Sequence, residues 1–198
     1  EEARRLTRDE LIAHADMVVT LSMNGYAKRT SLDTYKPQHR GGKGVLGMRT
    51  TKDDDVNQHT LVADTKDTIL LFTNGGRVYS FKCYHINEDT SRTTRGTPIK
   101  VLIPTLPDND KITSIVALSD LRQGGFLVLA TQRGAIKRVR LERFAAIRSN
   151  GIIAMNLNDR DHLISARAAH DGDEIMVVTR NGMSVCFPVE QLRVRSRT

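Results

Sequence analysis

One stretch of the sequence decides the fold: Ile69-Leu70-Leu71-Phe72-Thr73-Asn74-Gly75-Gly76-Arg77-Val78-Tyr79-Ser80-Phe81-Lys82. An apolar run leads into a Gly-Gly turn, and a second, partly apolar run follows. This pattern predicts a β-hairpin, because a two-residue hairpin turn needs backbone angles that glycine adopts readily. Three other segments resemble it, at residues 18–29, 126–140 and 174–188. With turn glycines Gly25, Gly76, Gly134 and Gly182, the hairpin recurs after 51, 58 and 48 residues.

Each predicted hairpin is accompanied by further short apolar runs. They precede the hairpins or lie in the connecting segments, at residues 11–13, 45–48, 61–63, 99–103, 115–118, 152–155 and 164–166. The second strand of the last hairpin alternates, with Met183, Val185 and Phe187 on one face, so that face is predicted to be buried. Four short strands in a period of about 40–50 residues are typical of propeller blades.

The sequence therefore predicts an all-β fold, a propeller-like array of about four four-stranded blades. We place a single domain on residues 1–198, with repeats at 11–35, 45–86, 99–141 and 152–192. Helical periodicity is confined to residues 5–13 and to a short turn at 141–146. A β-sandwich with accidental internal similarity is the alternative.

Basic residues gather at the hairpin exits and in the segments that follow them. The net charge is +7 and the isoelectric point is about 9.7, which favours an acidic partner. We predict that the cations align along one edge as a basic rim, which the resemblance described below implies is DNA-binding; it is composed of Lys28, Arg29, Arg77, Lys82, Arg92, Arg95, Lys100, Arg133, Lys137, Arg138, Arg140, Arg148, Arg193 and Arg195. Acidic clusters recur elsewhere in the repeat, at residues 53–55, 108–110 and 159–161. Aromatic residues are scarce, at 5%, so backbone contact with a duplex is favoured over stacking on single strands.

Several other classes of site lack support in the sequence. The six histidines and two cysteines have no metal-ligand spacing, and no constellation of catalytic residues is present. Cys83 and Cys186 are predicted to be small core residues in a reducing compartment. No apolar stretch approaches the length of about 20 residues that spans a membrane. The chain begins without Met and ends in a basic string, as an excised fragment would.

A basic glycine-rich segment precedes the second hairpin: Gln38-His39-Arg40-Gly41-Gly42-Lys43-Gly44. Its charges and bare backbone suit contact with phosphates. With the repeat at 17–29, it resembles the C-terminal domain of DNA gyrase A, from the type IIA topoisomerases. The family's box reads Gln-Arg/Lys-Arg-Gly-Gly-Arg/Lys-Gly, and six of seven positions match, with His39 as the departure. Arg95-Gly96 and Asn150-Gly151 stand where degenerate copies of the box would recur.

The resemblance implies a β-pinwheel, in which neighbouring blades exchange a strand. The family domain usually has six blades, so this chain would be a truncated or short form. It implies that the box and the basic rim wrap duplex DNA in a right-handed sense, so that the parent enzyme introduces negative supercoils. This domain would be non-catalytic and need no cofactor, whereas the parent would use ATP and magnesium. The implied partners are double-stranded DNA, gyrase B and the rest of gyrase A in a heterotetramer, in the cytoplasm on the bacterial chromosome.

Two alternatives remain open from the sequence. The equivalent C-terminal domain of topoisomerase IV shares the bladed fold but typically lacks an intact box. A protein-binding propeller scaffold would be expected to carry Trp-Asp and Gly-His signatures, and this chain contains no Trp.

Overall fold

The computed structural model describes residues 8–35, 56–90 and 94–198, and the all-β prediction is confirmed. The strands are β1 (Asp16–Ser22), β2 (Tyr26–Ser31), β3 (Asn57–Asp64), β4 (Thr68–Thr73), β5 (Arg77–Lys82), β6 (Thr97–Pro98), β7 (Ile112–Leu118), β8 (Phe126–Thr131), β9 (Ile136–Arg140), β10 (Ile152–Ile153), β11 (Leu163–Ala169), β12 (Glu174–Val178) and β13 (Ser184–Pro188). Two one-turn helices, α1 (Arg8–Leu11) and α2 (Ile99–Leu102), accompany them.

All four predicted hairpins are present, as β1–β2, β4–β5, β8–β9 and β12–β13. Their turn glycines have positive φ, at 78° for Gly25 and Gly76, 88° for Gly134 and 83° for Gly182. Each hairpin ends directly in a 3-10 turn, at Leu32–Thr34, Cys83–His85, Leu141–Phe144 and Val189–Gln191. The short turn predicted at 141–146 is therefore confirmed, and the sequence pattern does not predict the other three.

Each hairpin is the centre of a separate sheet. The strand orders are β3-β1-β2-β6, β10-β5-β4-β7, β11-β8-β9 and β12-β13. The first two sheets have the predicted four strands, whereas the third and fourth have three and two within the described residues. The hairpins pair their own strands antiparallel, and β3, β6, β10 and β11 also join their neighbours antiparallel.

Strands are exchanged along the chain, as the resemblance implies. The outer strands β3 and β11 pair with the hairpin before them in sequence, although each leads directly into the next hairpin. The short strand β6 follows the second hairpin yet pairs with β2 of the first, and β10 follows the third hairpin yet pairs with β5 of the second. A predicted repeat such as 45–86 therefore contributes strands to two sheets.

The chain divides into two compact units. Of the described residues, the first contains 8–35, 56–69, 81–90, 94–106 and 117–119, and the second contains 70–80, 107–116 and 120–198. In the first unit Val19, Leu21 and Ala63 are buried. In the second unit Phe72 and Phe144 are buried and meet edge to face, with ring centroids 6.4 Å apart. The first strands of the hairpins, β1, β4 and β8, thus supply much of the core, because each is buried along nearly its whole length rather than on one face.

Four local predictions differ from the structure. Residues 11–13 are not a strand, and the strand predicted at 99–103 is wrong because Ile99–Leu102 is a helical turn closed by the bond from Ile103 N–H to Ile99 O. Cys83 is buried as predicted, but Cys186 is exposed on β13. Met183 and Val185 are 72% and 55% exposed, so the prediction that this face is buried is wrong for both residues.

Candidate nucleic-acid interface

Two of the predicted rim cations are consecutive residues of β2, and both side chains contact other residues of the first unit. Lys28 is only 1% exposed, and its Nζ donates to the Thr94 carbonyl at 3.2 Å. Burial lowers the pKa of Lys28, and the carboxylate of Asp89 opposes that shift. Arg29 Nε donates to the Ile86 carbonyl at 2.7 Å, and Nη1 lies 3.1 Å from Glu88 Oε2.

The second unit repeats this arrangement on β9. Arg138 is 9% exposed, and its Nε donates to the Leu192 carbonyl at 2.6 Å. Its Nη1 lies 3.2 Å from Asp171 Oδ1. Lys137 Nζ donates to the Ser196 carbonyl at 3.0 Å. The hairpin cations predicted to face DNA are therefore engaged with the chain itself.

Two further predicted cations also hold backbone carbonyls. Arg77 Nη2 donates to Asn150 O at 2.8 Å, and Lys82 Nζ donates to Lys66 O at 3.0 Å. Both residues are partly buried. They fix the position of a turn or a connecting segment, and they leave less of their charge open to solvent than an exposed arginine does.

The remaining described cations of the predicted rim are exposed, and they are Arg95, Lys100, Arg133, Arg140, Arg148, Arg193 and Arg195. In the first unit the Arg95 guanidinium lies over the Tyr26 ring, 3.8 Å from its centroid. In the second unit Arg140 lies 5.7 Å from the Phe126 centroid. The sequence does not predict the partner of Arg95, because Tyr26 lies far from it along the chain, whereas Phe126 stands opposite Arg140 in the predicted third hairpin.

The structure brings three of the predicted cations together in the second unit. Lys137, Arg193 and Arg195 line an open cleft of 430 Å³, together with Met155 and Asn156. Of its described lining residues, none carries a carboxylate side chain. Burial lowers the pKa of Lys137, and the charges of Arg195 and Arg197 lower it further. Positive groups held this close repel one another, and a bound anion would relieve that repulsion.

The segments that resemble degenerate boxes have one local geometry. Gly96 and Gly151 have φ of +83° and +71°, and each directly precedes a two-residue exchanged strand. A Cβ on Gly96 would lie 2.6 Å from the Ala27 carbonyl oxygen, and one on Gly151 would lie 2.7 Å from Tyr79 Cε1. Glycine is required here because the connecting segment lies directly against the hairpin. The two degenerate copies therefore share a backbone role.

Some predicted site residues lie outside the described part of the chain. These are the whole box, Gln38, His39, Arg40, Gly41, Gly42, Lys43 and Gly44, together with Arg92 and the acidic cluster at 53–55. Their roles stay predictions.

One acidic cluster has a structural role in the second unit. Asp161 Oδ1 accepts from the backbone N–H of Arg133 at 3.0 Å and of His162 at 2.9 Å, which fixes the turn of the third hairpin. Burial alone would raise the pKa of Asp161, but hydrogen bonds from Thr131, Arg133 and His162 lower it below its ordinary value. This carboxylate is therefore held ionised as a turn cap.

Metal ligation and membrane spanning have no support in the described residues. No group of three or more His, Cys, Asp or Glu side chains in residues 8–35, 56–90 and 94–198 is arranged to hold a metal ion. Over the same residues, no helix has the length and apolar character needed to cross a membrane.

The chain matches the protein family described as DNA gyrase C-terminal domain, beta-propeller, over residues 16–62, 67–119, 125–170 and 173–198. Each of these four segments contains one hairpin. The chain is also 43% identical over 189 residues to the DNA gyrase A protein of Dehalogenimonas lykanthroporepellens. That alignment covers 96% of this chain but only 23% of the relative, so this chain spans about a quarter of such a protein.

Two solved structures share the fold. A DNA gyrase A C-terminal domain is similar with a TM-score of 0.75 at 28% identity, covering 92% of this chain and 57% of that one. The C-terminal domain of a DNA topoisomerase IV is similar with a TM-score of 0.72 at 26% identity, covering 94% and 55%. The architecture is therefore one that both kinds of topoisomerase domain use.

Proposed function

Because this chain belongs to the family of DNA gyrase C-terminal domains, we propose that it binds duplex DNA and bends it for a parent type II topoisomerase. The resemblance seen in residues 38–44 and the hairpin repeats is confirmed at the level of the family. In the proposed role the domain performs no chemistry. It holds a curved DNA segment so that the parent enzyme introduces negative supercoils.

One observation carries the proposal: Arg193 and Arg195 are exposed and line a cleft that has no carboxylate side chain among its described lining residues. Lysine and arginine contacts to phosphates release condensed counterions, and this supplies most of sequence-independent DNA affinity. In the described part of the chain no long helix is available to read base edges in a major groove, since α1 and α2 are four residues each. Sequence preference should then follow from how easily a DNA segment bends.

The wider assignments rest on the family. We propose that the parent uses ATP and magnesium in other domains, that this domain needs no cofactor, and that the parent assembles with gyrase B. Residence in the cytoplasm on the bacterial chromosome follows from that function. The exposed cations, Arg95, Arg133, Arg140 and Arg148 among them, are proposed as further phosphate contacts, with the box at residues 38–44.

The test combines a binding titration with a topology assay. Titration of the chain with duplex DNA at increasing salt should give a log–log slope of about −5, as expected for about six neutralised phosphates. Ligation of a nicked plasmid with the chain bound should then leave a positive linking difference, since the proposed wrap is right-handed. A slope near zero, or tight binding to single strands alone, would contradict the proposal. Binding with the expected slope but no linking change would retain DNA binding and exclude wrapping.

A topoisomerase IV parent is the second candidate, favoured by the similarity to that solved domain. The box at residues 38–44 argues against it, because the topoisomerase IV domain typically lacks one. The two parents differ in a supercoiling assay: a chimaera that carries this domain on a gyrase core should introduce negative supercoils if the domain is of the gyrase type. Relaxation without supercoiling would favour topoisomerase IV.

A further inference from the structure

Two lysine–arginine pairs occupy equivalent places in the two units. Lys28 and Arg29 are the third and fourth residues after Gly25, and Lys137 and Arg138 are the third and fourth after Gly134. Their charge and their recurrence with the repeat predict that all four cations belong to the DNA-binding rim.

Each arginine makes two hydrogen bonds to the segment that follows the next hairpin, one through its side chain and one through its backbone carbonyl. Arg29 Nε donates to Ile86 O at 2.7 Å, while its own carbonyl accepts from Asp89 N–H at 2.9 Å. Arg138 Nε donates to Leu192 O at 2.6 Å, while its own carbonyl accepts from Arg195 N–H at 2.9 Å. A single parallel β-bridge accompanies each of these contacts. It joins the backbones of Arg29 and Glu88 in the first unit and of Arg138 and Val194 in the second.

The lysine of each pair holds the same segment further along. Lys28 Nζ donates to Thr94 O at 3.2 Å, and Lys137 Nζ donates to Ser196 O at 3.0 Å. The second hairpin has Tyr79 and Ser80 at the equivalent places, so it lacks the pair that the first and third hairpins carry.

A cation in this position is poorly placed to meet phosphate. Lys28 and Arg138 are buried, so a phosphate would have to break existing hydrogen bonds and be desolvated to reach them. The gripped segments, in contrast, carry exposed cations: Arg95 follows Thr94, and Arg193 and Arg195 flank the bridge at Val194.

We propose that the pairs Lys28–Arg29 and Lys137–Arg138 are positioning residues, which lock the connecting segments so that the exposed cations of those segments meet DNA phosphates. This inference rests on the proposed function for its DNA part, but the lock itself is a property of the free chain. A phosphate ligand needs only its charge, whereas a lock needs the geometry of a guanidinium that donates to a carbonyl and a carboxylate together.

The test uses Arg138→Lys, which keeps the positive charge but removes the forked guanidinium that donates to two acceptors at once. Hydrogen exchange at the Arg195 amide should become about tenfold faster, the factor that corresponds to one lost charge-assisted hydrogen bond. DNA affinity should fall although the net charge is unchanged. Arg167→Lys is the matched control in the same sheet, because Arg167 is exposed on β11 and is not one of the predicted rim cations, and it should change neither quantity.

The outcomes distinguish the lock, by which the lysine–arginine pairs fix the connecting segments, from the proposed DNA-binding function. Unchanged exchange at Arg195 in Arg138→Lys would overturn the lock. Faster exchange with unaltered DNA affinity would overturn the positioning role, whereas faster exchange in a chain that binds no DNA at all would overturn the proposed function and leave the lock standing. Arg29→Lys, read at the Asp89 amide, repeats the test in the first unit and keeps it decisive if Arg138→Lys does not fold.

Discussion

The two thiols of the chain stand in opposite environments. Cys83 begins the 3-10 turn after β5 and is completely buried, and burial raises the pKa of its thiol to about 11. Cys186 lies exposed on β13. Because the thiolate is the reactive form, we expect a thiol reagent at neutral pH to modify Cys186 and spare Cys83. A colorimetric thiol assay should count one reactive group in the native chain and two after denaturation.

Cys186→Ser is the control for this assay. The variant should show no reactive thiol until it is unfolded, and the native hairpins should be undisturbed because Cys186 is exposed. Equal native reactivity of both thiols would mean that the 3-10 turn opens readily and that the buried position of Cys83 is not maintained in solution.

Single residues are the hardest to predict from sequence. The positions of Lys28 and Arg138 on their strands are predicted correctly, but their surroundings are not. Lys28 donates to a carbonyl 66 residues away and Arg138 to one 54 residues away, and no local pattern encodes such a partner. A basic residue beside a turn is exposed by default, so only the exchanged segments, once placed, reveal that these cations are buried.

At the scale of elements, the close approach of connecting segment and hairpin makes Gly151 a sensitive position. Alanine there would have to adopt φ of +71° and would place its Cβ 2.7 Å from Tyr79 Cε1. Backbone strain costs about 1–3 kcal/mol, and the clash adds to it. We expect Gly151→Ala to lower the free energy of unfolding by more than that strain alone, as measured by urea denaturation.

The control is Gly134→Ala, in the turn of the third hairpin. Gly134 has a φ of +88°, but a Cβ there meets nothing within 4 Å. This variant bears the strain without the clash, so the difference between the two variants measures the close approach. Equal destabilisation would show that the exchanged strand β10 moves aside at little cost.

A strand or hairpin is predictable from the sequence where a local pattern defines it. It is poorly predictable where it exists only because it pairs with a distant strand. The four hairpins follow from the sequence because turn glycine and alternation lie within about 15 residues. The two-residue strands β6 and β10 do not, because a strand that short has no period of its own and is defined by the edge it joins. The prediction at 99–103 fails for the same reason: its apolar residues form a single helical turn after the exchanged strand.

At the scale of the whole molecule, the family and the fold class are predictable from sequence because repeat period, turn chemistry and box agree with one another. Which cations are free to reach DNA is predictable only in part. Repetition marks both the residues that hold the connecting segments and those that the segments expose, and charge alone does not distinguish them. The geometry of the second unit distinguishes the two kinds of cation. Arg138 is buried and donates to the carbonyl of Leu192, whereas Arg193, the next residue along the chain, is exposed.

The last expectation separates binding DNA from bending it. Bending a short site by 40–90° costs about 1–6 kcal/mol, and contacts beyond the bend must offset that cost. Arg40 and Lys43 belong to the box predicted to close the wrap, so Arg40→Ala with Lys43→Ala should abolish most of the bend while affinity falls only about tenfold to a hundredfold. End-to-end energy transfer across a labelled duplex reports the bend, and a filter-binding titration reports the affinity.

The matched control removes two cations elsewhere, Arg193→Ala with Arg195→Ala. Both residues are exposed and line the cleft of the second unit, so this variant should lose a comparable amount of affinity while the DNA that remains bound keeps its bend. In an intact enzyme the box variant should lose negative supercoiling and retain relaxation, because only supercoiling requires the wrap. If both double variants reduced the bend equally, the box would be an ordinary basic segment, and curvature would arise from total charge rather than from a dedicated contact.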